Sequence, residues 1–244
     1  MLYRHWRAKL RATNLLRMIA NLHRRLVAEA IGTAFLLATV VGSGIMGERL
    51  AAGNVAITLL ANSIATGAAL TALILTFGPI SGAHFNPAVT ISCGARRELT
   101  WRDSAAYVVA QISGACAGVA AANLMFGDPP FFVSHHARNG GAQLFSEFVA
   151  TFGLLLVIGF GARLQPQFVA FAVGAYITAA YWFTASTSFA NPAVTLARSL
   201  SDTFTGIRPV DVPAFVLVQL FGAAAATLLL RWLIPKPPLR SSDG

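Results

Sequence analysis

The chain alternates between long apolar stretches and short polar connections. A bilayer core about 30 Å thick is crossed by about 20 apolar residues of helix, because a helix satisfies its own backbone hydrogen bonds in lipid. The pattern therefore predicts an all-α membrane protein with six transmembrane helices. The predicted spans lie near residues 26–47, 54–77, 103–125, 143–162, 167–186 and 212–234.

A pentapeptide, Asn-Pro-Ala-Val-Thr, occurs twice, at residues 86–90 and 191–195. Asn is a favoured N-cap, and Pro at the first helical position has its φ preset and no N–H to lose. Each copy therefore predicts a short helix that begins inside the membrane. Matched helix starts of this kind indicate a pore or binding site near the bilayer midplane. The residues concerned are Asn86, Pro87, Ala88, Asn191, Pro192 and Ala193.

The repeat extends over two halves, about 26–125 and 143–234. Each half has three predicted spans, so the second half must cross the membrane in the opposite sense, which makes the repeat inverted. Glu29 in the first span matches Glu147 in the fourth, and Gln111 in the third matches Gln219 in the sixth. The two pentapeptides are therefore expected to enter from opposite sides and meet.

Small residues recur one helical turn apart, as Gly114 and Gly118 in the third span and Gly222 and Ala226 in the sixth. Such spacing allows close contact between helices. A contact between subunits is one interpretation. Packing within one subunit is the interpretation we favour.

Composition and charge agree with a membrane protein. Only 11% of the residues are charged, whereas a soluble domain has about 25%. The net charge of +9 does not indicate nucleic-acid binding, because the basic residues lie at the ends of spans. By the positive-inside rule, both termini are predicted to be cytoplasmic. One side receives Arg4, Arg7, Lys9, Arg11, Arg17, Arg24, Arg25, Arg96, Arg97, Arg102, Arg163, Arg231, Lys236 and Arg240, and the other receives Arg49, Arg138, Arg198 and Arg208.

These boundaries predict a single channel domain over 26–234, between a basic cytoplasmic segment, 1–25, and a cytoplasmic tail, 235–244. The basic segment would lie on anionic lipid. Alternatively, Met18 is the natural start of the chain.

Glu29 and Glu147 lie inside predicted spans, where a carboxylate is costly and is expected to have partners. In one interpretation they relay protons in a secondary carrier. In the favoured one they accept hydrogen bonds from the backbone of the re-entrant loops, with Gln111 and Gln219 extending the same bracing. No Ser-His-Asp grouping, metal-ligand cluster or phosphate loop occurs, so no enzyme, cofactor or metal is predicted.

The segment Ser81–Thr90 and the segment Ser188–Ala193 resemble the two signatures of the major intrinsic proteins, the aquaporins and aquaglyceroporins. The resemblance covers about 26–234. It implies six helices and two half-helices around one pore per subunit, a homotetramer, and, since bacterial members are the most similar, a bacterial inner membrane.

The resemblance also implies a mechanism. The amides of Asn86 and Asn191 would donate to a passing solute, and the two half-helix dipoles would oppose cations. Backbone carbonyls would supply acceptors along the pore. They belong to Gly82, Ala83, His84, Thr187, Ser188 and Phe189.

The chain departs from the family at the outer constriction. Val194 stands where the family usually has an arginine, and Thr195 stands where glycerol channels usually have an aspartate. A wider, less polar opening for water and small uncharged solutes is implied. The same departure is similar to bacterial members associated with arsenic resistance, whose implied substrates are arsenite and methylated arsenicals. The other constriction positions are Thr66, Ser188 and Tyr181, with Ala179 or Trp182 as alternatives to Tyr181.

Arg198 lies four residues after Val194, on the same face of the short helix and one turn further out. One hypothesis is that Arg198 lines the outer pore and partly replaces the missing arginine. The alternative is a solvated or headgroup-bound arginine at the external surface. Similarly, the adjacent His135 and His136 could form a metal or pH gate, but we favour an ordinary loop.

Overall fold

The computed structural model describes residues 21–233. The predicted tail, 235–244, and residues 1–20 of the predicted N-terminal segment lie outside these residues. The described chain forms helices and has no strand. The helices are α1 Leu22–Leu50, α2 Val55–Ser81, α3 Pro87–Ala95, α4 Trp101–Met125, α5 Gly141–Leu164, α6 Val169–Phe183, α7 Pro192–Arg198 and α8 Val212–Leu233, the last preceded by a short 3-10 turn, Pro209–Asp211.

Five of the described helices, α1, α2, α4, α5 and α8 with its preceding turn, are long and apolar enough to cross a membrane. The remaining predicted span, the fifth, corresponds to α6, which has 15 residues and is therefore about 22 Å long. The fold class is confirmed, but the predicted boundary of 167–186 was wrong. At Thr184 the backbone becomes extended, with φ −115° and ψ 139°, because the chain there turns into the second re-entrant loop.

The first helix begins earlier than predicted, at Leu22 rather than near residue 26. Asn21 acts as the N-cap, and its side chain accepts a hydrogen bond of 3.1 Å from the Arg24 N–H. The basic residues Arg24 and Arg25 therefore belong to the first turn of α1 and not to a preceding segment.

The chain ends of the bundle lie on one face, which we call the terminal face, where α1 begins and α8 ends. Arg231 of α8 donates to the Ala95 carbonyl at the end of α3, which places α3 at this face. The opposite face, which we call the loop face, holds residues 126–140 and 199–208. These two segments are joined there by a hydrogen bond of 3.0 Å from the Ser134 N–H to the Ser199 carbonyl.

The closest helix contact joins α4 to α1. A Cβ atom on Gly114 or Gly118 would lie 2.2 Å from the carbonyl oxygen of Ala30 or Ala34, respectively. Gly222 of α8 also lies close to α5, since a Cβ atom there would lie 2.6 Å from the Phe148 carbonyl oxygen. The small residues therefore serve packing within one subunit.

We expect replacement of Gly118 by Leu to destabilise the protein strongly, because the new side chain meets backbone that cannot move independently of α1. Overpacking costs about 1–3 kcal/mol or more. Thermal unfolding in detergent, followed by size-exclusion chromatography, measures the effect. Gly78→Ala is the control, since a Cβ there meets nothing within 4 Å. An unfolding midpoint of the Gly118→Leu protein equal to that of the control would contradict the packing argument.

Candidate functional site: a pore between two re-entrant loops

The two short helices α3 and α7 are each preceded by a non-helical segment, residues 82–85 and 187–190, which we call the first and second lead-in. Each lead-in contains several residues with positive φ, which is uncommon for residues other than glycine and costs energy. Surrounding groups must therefore hold the lead-ins in place. The φ values are 95° for Gly82, 50° for Ala83, 48° for Phe85, 60° for Thr187, 49° for Ser188 and 47° for Ala190.

Glu29 holds the first lead-in. Its Oε1 accepts hydrogen bonds from the His84 N–H (3.0 Å) and the Ser81 hydroxyl (2.6 Å). Its Oε2 accepts from the Phe85 N–H and from Gln111 Nε2, both at 2.8 Å. The carboxylate is fully buried, so it satisfies backbone donors that have no helical partner.

Glu147 holds the second lead-in in the same way. Its two oxygens accept from the Phe189 N–H at 2.8 Å and the Ala190 N–H at 2.9 Å. Gln219 Nε2 donates to Oε2 at 2.6 Å. The two glutamates and two glutamines thus occupy equivalent places in the two halves, where the sequence repeat predicted them.

Each bracing glutamine also contacts the last residue of the pentapeptide. Gln111 Nε2 donates to Thr90 Oγ1 at 2.9 Å, and Gln219 Nε2 donates to Thr195 Oγ1 at 2.8 Å. These threonines were not among the residues predicted to brace the loops. The signal was present, because the identity between the two halves extends through the threonine.

Each pentapeptide asparagine donates a hydrogen bond to the lead-in of the other half of the molecule. Asn86 Nδ2 donates to the Ala190 carbonyl, and Asn191 Nδ2 donates to the Phe85 carbonyl, both at 2.8 Å. Each side-chain oxygen caps its own short helix. Asn86 Oδ1 accepts from the Ala88 N–H at 2.9 Å, and Asn191 Oδ1 accepts from the Ala193 N–H at 3.0 Å. Because an amide nitrogen carries two hydrogens, each asparagine keeps a second N–H for a solute.

A cavity of about 210 Å³ lies between the lead-ins and is lined by both asparagines. Its lining extends from Arg96 and Glu98 near the terminal face to Arg198 near the loop face, so it has the form of a pore. Most of the remaining wall is apolar. Apolar lining residues are Leu36, Val40, Leu70, Ile74, Leu154, Ile158, Val173 and Ile177.

Most of the predicted pore residues line this cavity. Five of them do not line it: Pro87, Ala88, Thr187, Pro192 and Ala193. Those that do line it are Thr66, Tyr181, Ser188, Val194, Gly82, Ala83, His84, Phe189, Arg198, Asn86 and Asn191.

Of the three α6 residues considered for the constriction, Tyr181 lines the cavity. Its hydroxyl lies 3.2 Å from Thr66 Oγ1. Trp182 is 48% exposed and donates from Nε1 to Ser63 Oγ at 3.0 Å. Ala179 is also exposed. The two alternatives to Tyr181 therefore point away from the cavity.

Arg198 is 1% exposed and lines the cavity, so it is not the solvated surface arginine of the alternative interpretation. The loop after α7 folds over it, and its Nε donates to the Thr205 carbonyl. Its guanidinium carbon lies 3.4 Å from the centre of the Phe189 ring. Its Nη1 is buried without a hydrogen-bond partner.

The paired histidines lie in the loop before α5. His135 Nδ1 lies 3.0 Å from Asp202 Oδ2, and the His135 N–H donates to Oδ1 at 2.8 Å. These hydrogen bonds hold the pKa of Asp202 below its usual range. Burial, together with the charges of Arg138 and Arg198, lowers the pKa of His136. Within residues 21–233, no group of three or more metal-ligating side chains comes together.

Comparisons with known proteins agree with this geometry. The family model described as "Major intrinsic protein" matches residues 16–165 and 160–242. The chain belongs to the major intrinsic protein family. The resemblance inferred from the two signatures is therefore confirmed.

Relatives of known name lie in the same family. The chain is 56% identical over 220 residues to aquaglyceroporin AqpS of Rhizobium meliloti, covering 90% of this chain and 94% of that one. It is 31% identical to the probable aquaporin AqpM of Archaeoglobus fulgidus, covering 88% and 99%. The X-ray structure of the aquaglyceroporin from Plasmodium falciparum has the same fold, with a TM-score of 0.66, 19% identity, and coverage of 87% and 95%.

Family membership and fold together establish the class of function. This major intrinsic protein is a passive membrane channel for water and small solutes, and it is not an enzyme.

Proposed function

We propose that the channel is an aquaglyceroporin with a widened outer constriction, which passes glycerol-like polyols as well as water. The observation that carries the proposal is Val194, whose short apolar side chain lines the cavity where family members usually place an arginine. An arginine would bring five donors and a fixed charge. A relative of 56% identity is itself named an aquaglyceroporin.

The proposed path offers alternating polar and apolar surface. The free N–H groups of Asn86 and Asn191 serve as donors, while the hydroxyls of Thr66, Tyr181 and Ser188 surround the outer constriction. A polyol hydroxyl both donates and accepts, so it can exchange water for these groups. The apolar wall prevents tight binding, which a conducting path must avoid.

Uncharged arsenite, which has three hydroxyl groups, has the same hydrogen-bonding character as a small polyol. We extend the proposal to arsenite and to methylated arsenicals, on the strength of Val194 and the similarity to arsenic-associated bacterial members. Cation exclusion is assigned to Arg198 and to the positive ends of the half-helices at Asn86 and Asn191.

Proton-coupled transport by Glu29 and Glu147 has no support from the contacts. Neither carboxylate lines the cavity. Each is fully buried and has both oxygens engaged by hydrogen-bond donors. A relay group needs access to water or to a second titratable group, and these carboxylates face backbone amides and glutamine instead.

We further propose a homotetramer in a bacterial inner membrane, with both termini and the basic segment 1–25 in the cytoplasm. The charge asymmetry supports this orientation, since the terminal face carries most of the arginines. The channel domain is assigned to 26–234. Broad apolar exposure on α1, α2 and α5 is consistent with lipid and subunit contacts, as at Phe35, Ile64 and Phe145.

Stopped-flow light scattering of proteoliposomes tests the proposal. A sucrose shock should cause rapid shrinkage, and a glycerol shock should cause shrinkage followed by reswelling faster than in empty liposomes. Arsenite uptake is measured in the same vesicles. Rapid shrinkage in both shocks without reswelling would contradict the widened constriction and would indicate a pore selective for water.

A further inference from the structure

Arg138 is a loop residue whose side chain contacts the segments around the second lead-in. It lies between α4 and α5, yet it is only 6% exposed. In the described part of the chain, no carboxylate lies within ion-pair distance of its guanidinium. Burial lowers the pKa of Arg138 to about 10, so the side chain is still charged at neutral pH. A buried charge of this kind is costly unless its hydrogen bonds are well placed.

The guanidinium joins its own loop to two other segments at the loop face. Nε donates to the Gly206 carbonyl at 2.7 Å, and Nη2 donates to the Phe204 carbonyl at 3.2 Å, both in the loop after α7. Nη1 donates to the Ser186 carbonyl at 3.2 Å, directly before the second lead-in. The guanidinium carbon lies 4.9 Å from the centre of the Phe189 ring.

The first half of the molecule supports the equivalent carbonyl differently. Ser81 and Ser186 each precede their asparagine by five residues, and each hydroxyl accepts from the N–H two residues on, at 3.0 Å and 3.2 Å. The Ser81 carbonyl accepts a hydrogen bond of 2.9 Å from the Tyr107 hydroxyl. Tyr107 in turn is contacted by Arg25, whose Nε lies 2.8 Å from that hydroxyl.

The second half lacks this hydroxyl. Tyr107 precedes the bracing Gln111 by four residues, and the residue four before Gln219 is Phe215. The rings are placed alike, since Tyr107 lies 5.4 Å from His84 and Phe215 lies 5.4 Å from Phe189. Phenylalanine has no donor, so the Ser186 carbonyl would be left without the partner that Ser81 has.

We infer that Arg138 is a positioning residue that replaces the missing hydroxyl of the second half. By holding the Ser186 carbonyl and the Phe189 ring, it orients the second lead-in, whose carbonyls and Ser188 line the outer pore. Phe189 also contacts the guanidinium of Arg198. Arg138 therefore sets the geometry of the outer constriction without lining the cavity itself. This inference rests on the proposed function of the pore.

The test compares Arg138→Leu, Arg138→Lys and the double variant Arg138→Leu with Phe215→Tyr in proteoliposomes. We expect Arg138→Leu to lower glycerol permeability per channel about tenfold, the factor that one charge-assisted hydrogen bond is worth. Water permeability should fall less, because glycerol needs several of the misplaced carbonyls at once. Arg138→Lys should lose nearly as much glycerol permeability as Arg138→Leu, because one ammonium group cannot donate to three carbonyls at once as the planar guanidinium does.

The double variant separates positioning from general stability. Phe215→Tyr places a hydroxyl where Tyr107 has one, so it should restore at least half of the lost glycerol permeability. The matched control is Arg49→Leu. Arg49 also lies at the loop face, donates to the Phe126 carbonyl at 2.8 Å and stacks on the Phe126 ring at 5.0 Å, but it lies outside the cavity lining.

Each outcome decides something. Unchanged glycerol and water permeabilities in Arg138→Leu, or equal losses of both without rescue by Phe215→Tyr, would overturn the inference. Wild-type vesicles that pass water but no glycerol would overturn the proposed function instead. In that case the same variants are judged by water permeability, where loss in Arg138→Leu and rescue in the double variant would still support the inference.

Discussion

Replacing Val194 by Arg should nearly close the channel to glycerol while much of its water permeability remains. Val194 is 5% exposed and lines the cavity in the first turn of α7, so a longer side chain there has no direction other than the pore. We expect glycerol permeability to fall by at least about tenfold, because a single methylene group in a pocket already changes the discrimination between substrates by about tenfold or more. Stopped-flow reswelling in glycerol measures this directly.

Val194→Leu is the control for size. It adds volume without charge or donors, so glycerol permeability should lie between the wild-type and Val194→Arg values. Leakage of potassium should fall in Val194→Arg and stay unchanged in Val194→Leu, because only the arginine adds positive charge beside Arg198. Wild-type glycerol flux in Val194→Arg would show that the narrowest point lies elsewhere in the pore.

The fold and the midplane of the pore could be predicted because their signals are local and repeated. Apolar length determines a span, Asn-Pro determines a helix start, and both occur in matching places in the two halves. The equivalence of Glu29 and Glu147 follows from the same repeat. Even the short α6 is explained locally, since the chain must leave the helix at Thr184 to form the second lead-in.

The contacts of the pore at the loop face could not be predicted in the same detail, because the two halves differ there. Spacing placed Arg198 one turn beyond Val194, but its burial depends on the Thr205 carbonyl, which is brought over it by the loop after α7. In the sequence, Arg138 is only one of four basic residues assigned to the side opposite the termini. Its role depends on contacts with residues 48 and 68 positions away, at Ser186 and Gly206. The one local signal was an absence, Phe215 in the place of Tyr107.

Removing the carboxylate of Glu147 should cause the largest loss of stability. In Glu147→Leu, the N–H groups of Phe189 and Ala190 and one N–H of the Gln219 amide lose their acceptor in a fully buried place. Each buried donor left unsatisfied costs about 1–3 kcal/mol, and three of them approach the whole stability of a typical domain, about 5–15 kcal/mol. We expect little monodisperse protein after detergent extraction.

Glu147→Gln distinguishes bracing from proton coupling, because it keeps the shape and one acceptor oxygen but cannot carry a proton. Its amide hydrogens would face backbone N–H donors, so its unfolding temperature should fall, though less than in Glu147→Leu. Glu48→Gln is the control, since Glu48 is exposed near the end of α1. If Glu147 only braces the lead-in, the glycerol flux that remains in Glu147→Gln must show the wild-type dependence on pH and no saturation. The contrary outcome is a wild-type flux that saturates and rises with a proton gradient, and that loses both properties in Glu147→Gln. It would assign the carboxylate to a carrier, because bracing alone does not couple solute flux to protons.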